Sequence, residues 1–138
     1  MKKEFSKAWA SSKKPNKQRK FRFNAPLHIK QKFVHVHLSK ELRKKYGKRN
    51  VGLKKGDRVS VSRGQFKKKS GKVERIDLKK SAVYITGIEL IKKDGSKVLL
   101  HLEPSNLMIT ELNLEDKKRS KLIESKGKKE DKKEAKKK

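Results

Sequence analysis

The sequence predicts a mainly β chain: short antiparallel strands in one small domain, flanked by basic extensions. Three stretches carry that prediction. Arg58-Val59-Ser60-Val61-Ser62 alternates polar and apolar side chains, the pattern of a strand with one buried face. The stretch Arg63–Gly71 then places Gly64 and Gly71 near its ends and three consecutive lysines, Lys67-Lys68-Lys69, between them. A packed core does not tolerate three adjacent charges, so these lysines belong at a hairpin tip. Asp94-Gly95 lies between the apolar runs Ile88–Ile91 and Val98–Leu102, a strong hairpin signal.

The elements follow in order. Met1–Asn24 has no hydrophobic periodicity; it mixes lysine and arginine with Ser11, Ser12, Pro15, Asn16 and Gln18, and interleaves Phe5, Trp9, Phe21 and Phe23. It is expected to be a basic arm that orders against RNA, cations on phosphates and rings on bases or in an apolar seam. Residues 25–52 form a connecting unit. Ile29–Leu38 is expected to be extended, with Val34, Val36 and Leu38 on one face and Phe33, His35 and His37 on the other. Ser39 is a good N-cap for a helix over Lys40–Tyr46, and Gly47 suits its C-terminal end. Leu42 and Tyr46, four apart, share the face that docks on the domain.

The domain spans residues 53–112. After Lys55-Gly56-Asp57, a turn signal, strands are expected at Arg58–Ser62, Lys72–Leu78 and Ala82–Gly87, then at Ile88–Ile91 and Val98–Leu102 as a projecting hairpin. Leu107–Leu112 closes the set. Asn113 is the expected cap of a last helix over about Leu114–Ser125, within the segment 113–126. Residues 127–138, GKKEDKKEAKKK, form a low-complexity basic tail expected to be disordered.

The pattern Gly56-Asp57-x-Val59-x-Val61-x-Arg63-Gly64, followed by Gly71-Lys72-Val73, resembles a KOW motif, the small-barrel unit of several ribosomal proteins and transcription elongation factors. The flanks Pro15-Asn16-Lys17-Gln18-Arg19-Lys20, Ala25-Pro26-Leu27-His28, Leu38-Ser39-Lys40-Glu41-Leu42-Arg43 and Pro104-Ser105-Asn106-Leu107 narrow the resemblance. Over roughly residues 11–124 the chain is similar to one family of large-subunit ribosomal proteins, twenty-four in bacterial naming and twenty-six in eukaryotic naming, in its archaeal and eukaryotic branch. That family usually carries Lys-Gly in mid-loop, where this chain has Lys67-Lys68. The resemblance implies an SH3-like KOW barrel, a structural role in the large subunit, binding to large-subunit rRNA during early assembly, and a place near the exit of the polypeptide tunnel. Its implied partners are that rRNA and neighbouring large-subunit proteins, in a cytoplasmic ribosome.

Composition points the same way. The 138 residues carry a formal net charge of +28, with only 31% hydrophobic and 42% charged residues. Residues 1–50 hold 17 lysines and arginines against 2 acids, whereas residues 51–115 hold 14 against 8. A nearly ordinary domain with strongly basic arms is the electrostatic form of a nucleic-acid binder. The cations expected on RNA are Lys13, Lys14, Lys17, Arg19, Lys20 and Arg22 in the arm, His28 and Lys30 after it, and Arg43, Lys44, Lys48 and Arg49 around the helix. Arg63, Lys67, Lys68, Lys69 and Lys72 complete the set at the loop. No apolar run is long enough to span a bilayer, and Met1–Asn24 has no apolar h-region, so a signal peptide is not expected there. The chain has no cysteine, which removes disulfides and thiolate metal sites; His35 and His37 with only His28 and His101 besides do not make a metal centre. No cofactor, membrane or small-molecule partner is expected. No nucleophile elbow or nucleotide-binding loop is present, so an enzyme is not expected. The alternatives are a polymerase-binding elongation factor with a KOW domain, and a scaffold whose 88–102 hairpin binds proteins.

Overall fold

The structure is a computed structural model that describes residues 5–6 and 12–124. Along the chain run α1 (Pro15–Asn24), α2 (Leu27–Phe33), β1 (His35–Leu38), α3 (Lys40–Tyr46), β2 (Asn50–Gly52), β3 (Arg58–Val61) and β4 (Ser70–Asp77). β5 (Ala82–Ile91), β6 (Lys97–Leu102), a 3-10 turn at Pro104–Asn106, β7 (Leu107–Glu111) and α4 (Lys117–Glu124) complete it. The expected tail at 127–138 lies outside the described residues, as does Trp9.

The mainly β prediction holds. Seven strands form one mixed sheet in the order β2-β1-β7-β3-β4-β5-β6, and only the β1–β7 pair is parallel. Inward residues of distant strands meet in a single core: Val36 and Leu38 from β1, Val59 and Val61 from β3, Val73 from β4, Val83, Ile85 and Ile88 from β5, and Leu107 and Ile109 from β7. A sheet whose two halves share one core is bent into a small barrel. Each of these fully buried aliphatic side chains contributes about 1.5–3 kcal/mol by leaving water.

The bend is built by local chemistry. Val59 pairs with Gly71, and a Cβ on Gly71 would sit 2.5 Å from the carbonyl oxygen of Thr86, so only glycine lets β5 approach β4 this closely. The two strands predicted at Ala82–Gly87 and Ile88–Ile91 are one strand, β5, interrupted at Gly87, whose φ is +80°. The register against β6 shifts between Tyr84 and Glu89. That irregularity changes the inward-facing phase from Val83 and Ile85 to Ile88, which keeps the core covered around the corner.

β5 and β6 run on into a hairpin closed by Asp94, which accepts from the N–H and hydroxyl of Ser96. These bonds, the hydroxyl first, hold the Asp94 carboxyl below the usual carboxylate range. Leu90, Ile91 and Val98 near its end are exposed, as expected of a hairpin that projects.

The connecting unit departs from its expected form. Ile29–Leu38 is not extended throughout. Ala25 and Pro26 are both extended, as proline demands of itself and its predecessor, so α1 stops at Asn24 and α2 starts afresh at Leu27. The strand begins only at His35, although Val34, Val36 and Leu38 are all buried as predicted. The arm carries a helix that its lack of hydrophobic periodicity did not announce: Pro15 occupies the first turn of α1, the position where its missing N–H costs nothing. The helix escapes a periodicity test because none of its residues is buried. α3 matches its prediction in both ends: Ser39 Oγ accepts from the Leu42 N–H, and Gly47 is left-handed with φ +59°. Tyr46 is buried and Leu42 packs against the core.

Candidate nucleic-acid interface

The cations expected on RNA fall in three places: the arm with α2, the helix α3 and its exit, and the β3–β4 loop. In α1, a turn of 3.6 residues sends Lys17, Arg19, Lys20 and Arg22 to different sides of the helix, and all four are exposed. No residue of α1 is fully buried and only Phe21 is half-buried, so its cations stay on the outside on every other side. Lys13, Lys14 and His28 are likewise exposed, and Lys30 is half-buried. The arm's rings divide. Phe21 stacks at 4.8 Å from Phe5 and edge-on at 6.2 Å from Phe33, forming a seam that ties the arm to α2, with Arg22 over Phe33 at 5.7 Å. Phe23 stays 81% exposed, with the Lys30 ammonium 6.0 Å from its ring.

Around α3 the expected set separates. Lys44 and Arg49 are exposed. Arg43 donates from Nε to the Leu38 carbonyl at 2.8 Å, which fixes its stem across the end of β1. Half-buried Lys48 donates to the Leu122 carbonyl of α4. Both therefore have structural work in addition to their charge.

The β3–β4 loop is a compact tip. The N–H of Lys68 donates to the Val61 carbonyl and that of Val61 to the Lys69 carbonyl, both at 2.8 Å. Phe66 packs back on the core, and the Lys69 ammonium lies 5.0 Å from its ring. Arg63, Lys67, Lys68, Lys69 and Lys72 are all exposed. Lys68 takes φ +71°, a left-handed conformation that costs a side-chain-bearing residue about 1–2 kcal/mol. That is the mid-loop position at which the resembled family usually has glycine, so the loop keeps a glycine-like backbone with a lysine on it. Lys68→Gly is expected to raise the unfolding free energy by about 1 kcal/mol, after glycine's own entropy is offset. Urea unfolding checks it.

The expected cations of the arm and of the β3–β4 loop join no ion pair among the described residues. The pairs there are Lys54–Asp116, Arg58–Glu111 at 3.3 Å and Arg119–Asp57 at 2.6 Å. The side-chain hydrogen bond from Lys54 to Asp116, with the Lys118 N–H, keeps the Asp116 carboxyl below its usual range. An open groove of about 990 Å³ between α2, β2 and α4 adds Lys32, Lys54, Lys55 and Lys118, cations that the sequence did not single out.

A buried charged pair was also missed. Asp57 is fully buried and Arg119 is 4% exposed. Asp57 Oδ1 accepts from Arg119 Nη1 at 2.6 Å and the Asn113 N–H at 2.9 Å; Oδ2 accepts from Arg119 Nη2 at 2.6 Å and the Lys54 N–H at 2.8 Å. Arg119 donates further to the Asn113 and Gly52 carbonyls. This two-pronged pair clamps α4 to the barrel. Gly56 beside it has φ +92°, and a Cβ there would meet Asn113 at 2.8 Å. The Gly-Asp of the motif thus has a structural use, and Asn113 is a strut. The cap of α4 is Asp116, which accepts from the N–H groups of Lys118 and Arg119.

Comparison with known proteins agrees with this arrangement. Residues 12–126 match the family described as ribosomal proteins L26 of eukaryotes and L24 of archaea. A relative from Methanothrix thermoacetophila named "Large ribosomal subunit protein uL24" is 49% identical over 112 residues, covering 81% of this chain and 97% of the relative. One of the same name from Methanosarcina barkeri is 45% identical over the same shares. Neither is named as an elongation factor, so the polymerase-binding alternative is not favoured. A barrel with the Gly56-Asp57 turn, a lysine-tipped loop and a match over most of its length identifies the chain as a member of this family of eukaryotic L26 and archaeal L24 ribosomal proteins.

Proposed function

We propose that the protein is a structural constituent of the large ribosomal subunit that binds large-subunit rRNA, supports early subunit assembly and lies near the exit of the polypeptide tunnel in the cytoplasmic ribosome. Its partners are the rRNA and neighbouring large-subunit proteins, and it has no catalytic task. One observation carries the RNA part: exposed cations crowd α1 and the β3–β4 tip with no carboxylate paired to them among the described residues. Such charges repel one another until phosphates neutralise them, and each phosphate contact releases condensed counterions. Assembly and the tunnel location rest on membership of the family.

The loop gives the test. Replacing Lys67, Lys68 and Lys69 together by glutamine leaves the core untouched, since all three are exposed. The slope of log affinity for rRNA against log salt is expected to fall by about 2–3, the yield of three lost phosphate contacts. An unchanged slope in folded protein removes these lysines from the interface.

A further inference from the structure

On the outer face of the barrel, three planar side chains stand in one row. Arg75 of β4 pairs with Tyr84 of β5, and Tyr84 pairs with His101 of β6. Opposed residues on one face of a sheet lie within side-chain reach. The guanidinium of Arg75 sits 4.4 Å from the centre of the Tyr84 ring, a stacked cation–π contact. A bulge sets this up. The register of β4 against β5 shifts between Val73 and Arg75, so that Val73 still points to the core while Glu74 and Arg75 both point out. Arg75 and His101 are exposed and Tyr84 is half-buried between them. A surface arginine with only charge to contribute needs no bulge to aim it across a ring.

We infer that the Arg75–Tyr84–His101 row is a stacking platform for an unpaired nucleobase of single-stranded RNA. Every base offers a π-face, and aromatic rings and guanidinium planes take it without reading its sequence. The free face of the Arg75 guanidinium and the exposed imidazole provide two such planes, with Tyr84 as the backing between them. Glu74 at the bulge and Asp77, two residues beyond Arg75 on the same strand face and within its electrostatic reach, disfavour a phosphate there and leave stacking as the attraction. In a duplex the bases are stacked on one another and unavailable, so the platform selects single strands. The inference rests on the RNA-binding reading but adds a site that the loop and arm do not include.

The full chain is tested against a single-stranded RNA of roughly ten nucleotides with 2-aminopurine at mid-strand, and against duplex RNA of similar length. Wild type is expected to bind both and to change the 2-aminopurine fluorescence. His101→Ala and Arg75→Lys, the second keeping the charge and losing the plane, are each expected to weaken single-strand binding by about fivefold or more and to diminish the fluorescence change. Duplex affinity is expected to stay within about twofold, because the salt-dependent phosphate contacts lie elsewhere. Arg75→Lys binding like wild type, equal losses on both RNAs, or no loss in His101→Ala would each overturn the platform while leaving RNA binding intact. Wild type binding neither RNA would overturn the RNA-binding reading itself. His101 is exposed on the edge strand, so that variant reports on the site even if Arg75→Lys loosens the bulge.

Discussion

Asp57→Ala is expected to lower the unfolding free energy by about 3–5 kcal/mol, the cost of leaving one partner of a buried ion pair behind. For a domain whose whole stability is on the order of 5–15 kcal/mol, that loss puts the folded state at risk. The variant would strand a guanidinium that is 4% exposed with only the Asn113 and Gly52 carbonyls to receive its protons. Arg119→Ala is milder, because Asp57 would keep the N–H groups of Lys54 and Asn113. The double substitution Asp57→Leu with Arg119→Met is expected to recover much of the loss, since two apolar groups of similar size leave no charge unpaired. Urea unfolding of the three variants checks all of it. A cost below about 1 kcal/mol for Asp57→Ala would mean that water reaches the pair and that α4 is not clamped by it.

The barrel was legible because its strands alternate: Val59 and Val61, Val83 and Ile85, and Leu107 and Ile109 declare their inward face two residues apart, and all six are buried. α3 was legible to the residue because Ser39 and Gly47 are local signals at its two ends. The ion pair was not. Asp57 and Arg119 are separated by most of the barrel, and in composition each looks like one more surface charge. Only the fold shows that both are buried. The parallel β1–β7 pair is hidden for the same reason, since Leu38 and Ile109 meet across the sheet with no local mark of it. The arm helix escaped because it buries nothing, and periodicity reads only burial.

The site divides along the same line. Charge is visible in sequence, so the loop lysines and arm cations could be named; engagement is not, so Arg43 bonding the Leu38 carbonyl and Lys48 bonding that of Leu122 could not. Nor could the row of Arg75, Tyr84 and His101, whose members become neighbours only through strand register and a bulge. The mid-loop Lys68 is intermediate between the two. Its substitution for the family's usual glycine is readable, and its left-handed backbone shows that the loop shape persists.

Deleting residues 1–24 is expected to be the costliest change to RNA binding. It removes Lys13, Lys14, Lys17, Arg19, Lys20 and Arg22, and six phosphate contacts correspond to a fall of about 4–5 in the slope of log affinity against log salt. Contacts in that number are worth about a thousandfold or more in affinity over a moderate rise in salt. The same deletion is expected to leave the barrel's midpoint in urea nearly unchanged, because α1 contributes no buried residue. Among the described residues, Phe21 stacks against Phe5 and Phe33 without becoming fully buried. A ten-residue helix without a buried face is marginal in water, where isolated helices shorter than about 12–15 residues rarely persist. Amides of Lys17–Phe23 are therefore expected to exchange quickly in free protein and slowly in purified subunits, the ordering cost being met by phosphate contacts on every side of the helix. Equal exchange in both states would sink the coupling of folding to binding. A deletion that left the salt slope intact would show instead that the arm touches no phosphate, and would return the interface to the β3–β4 tip alone.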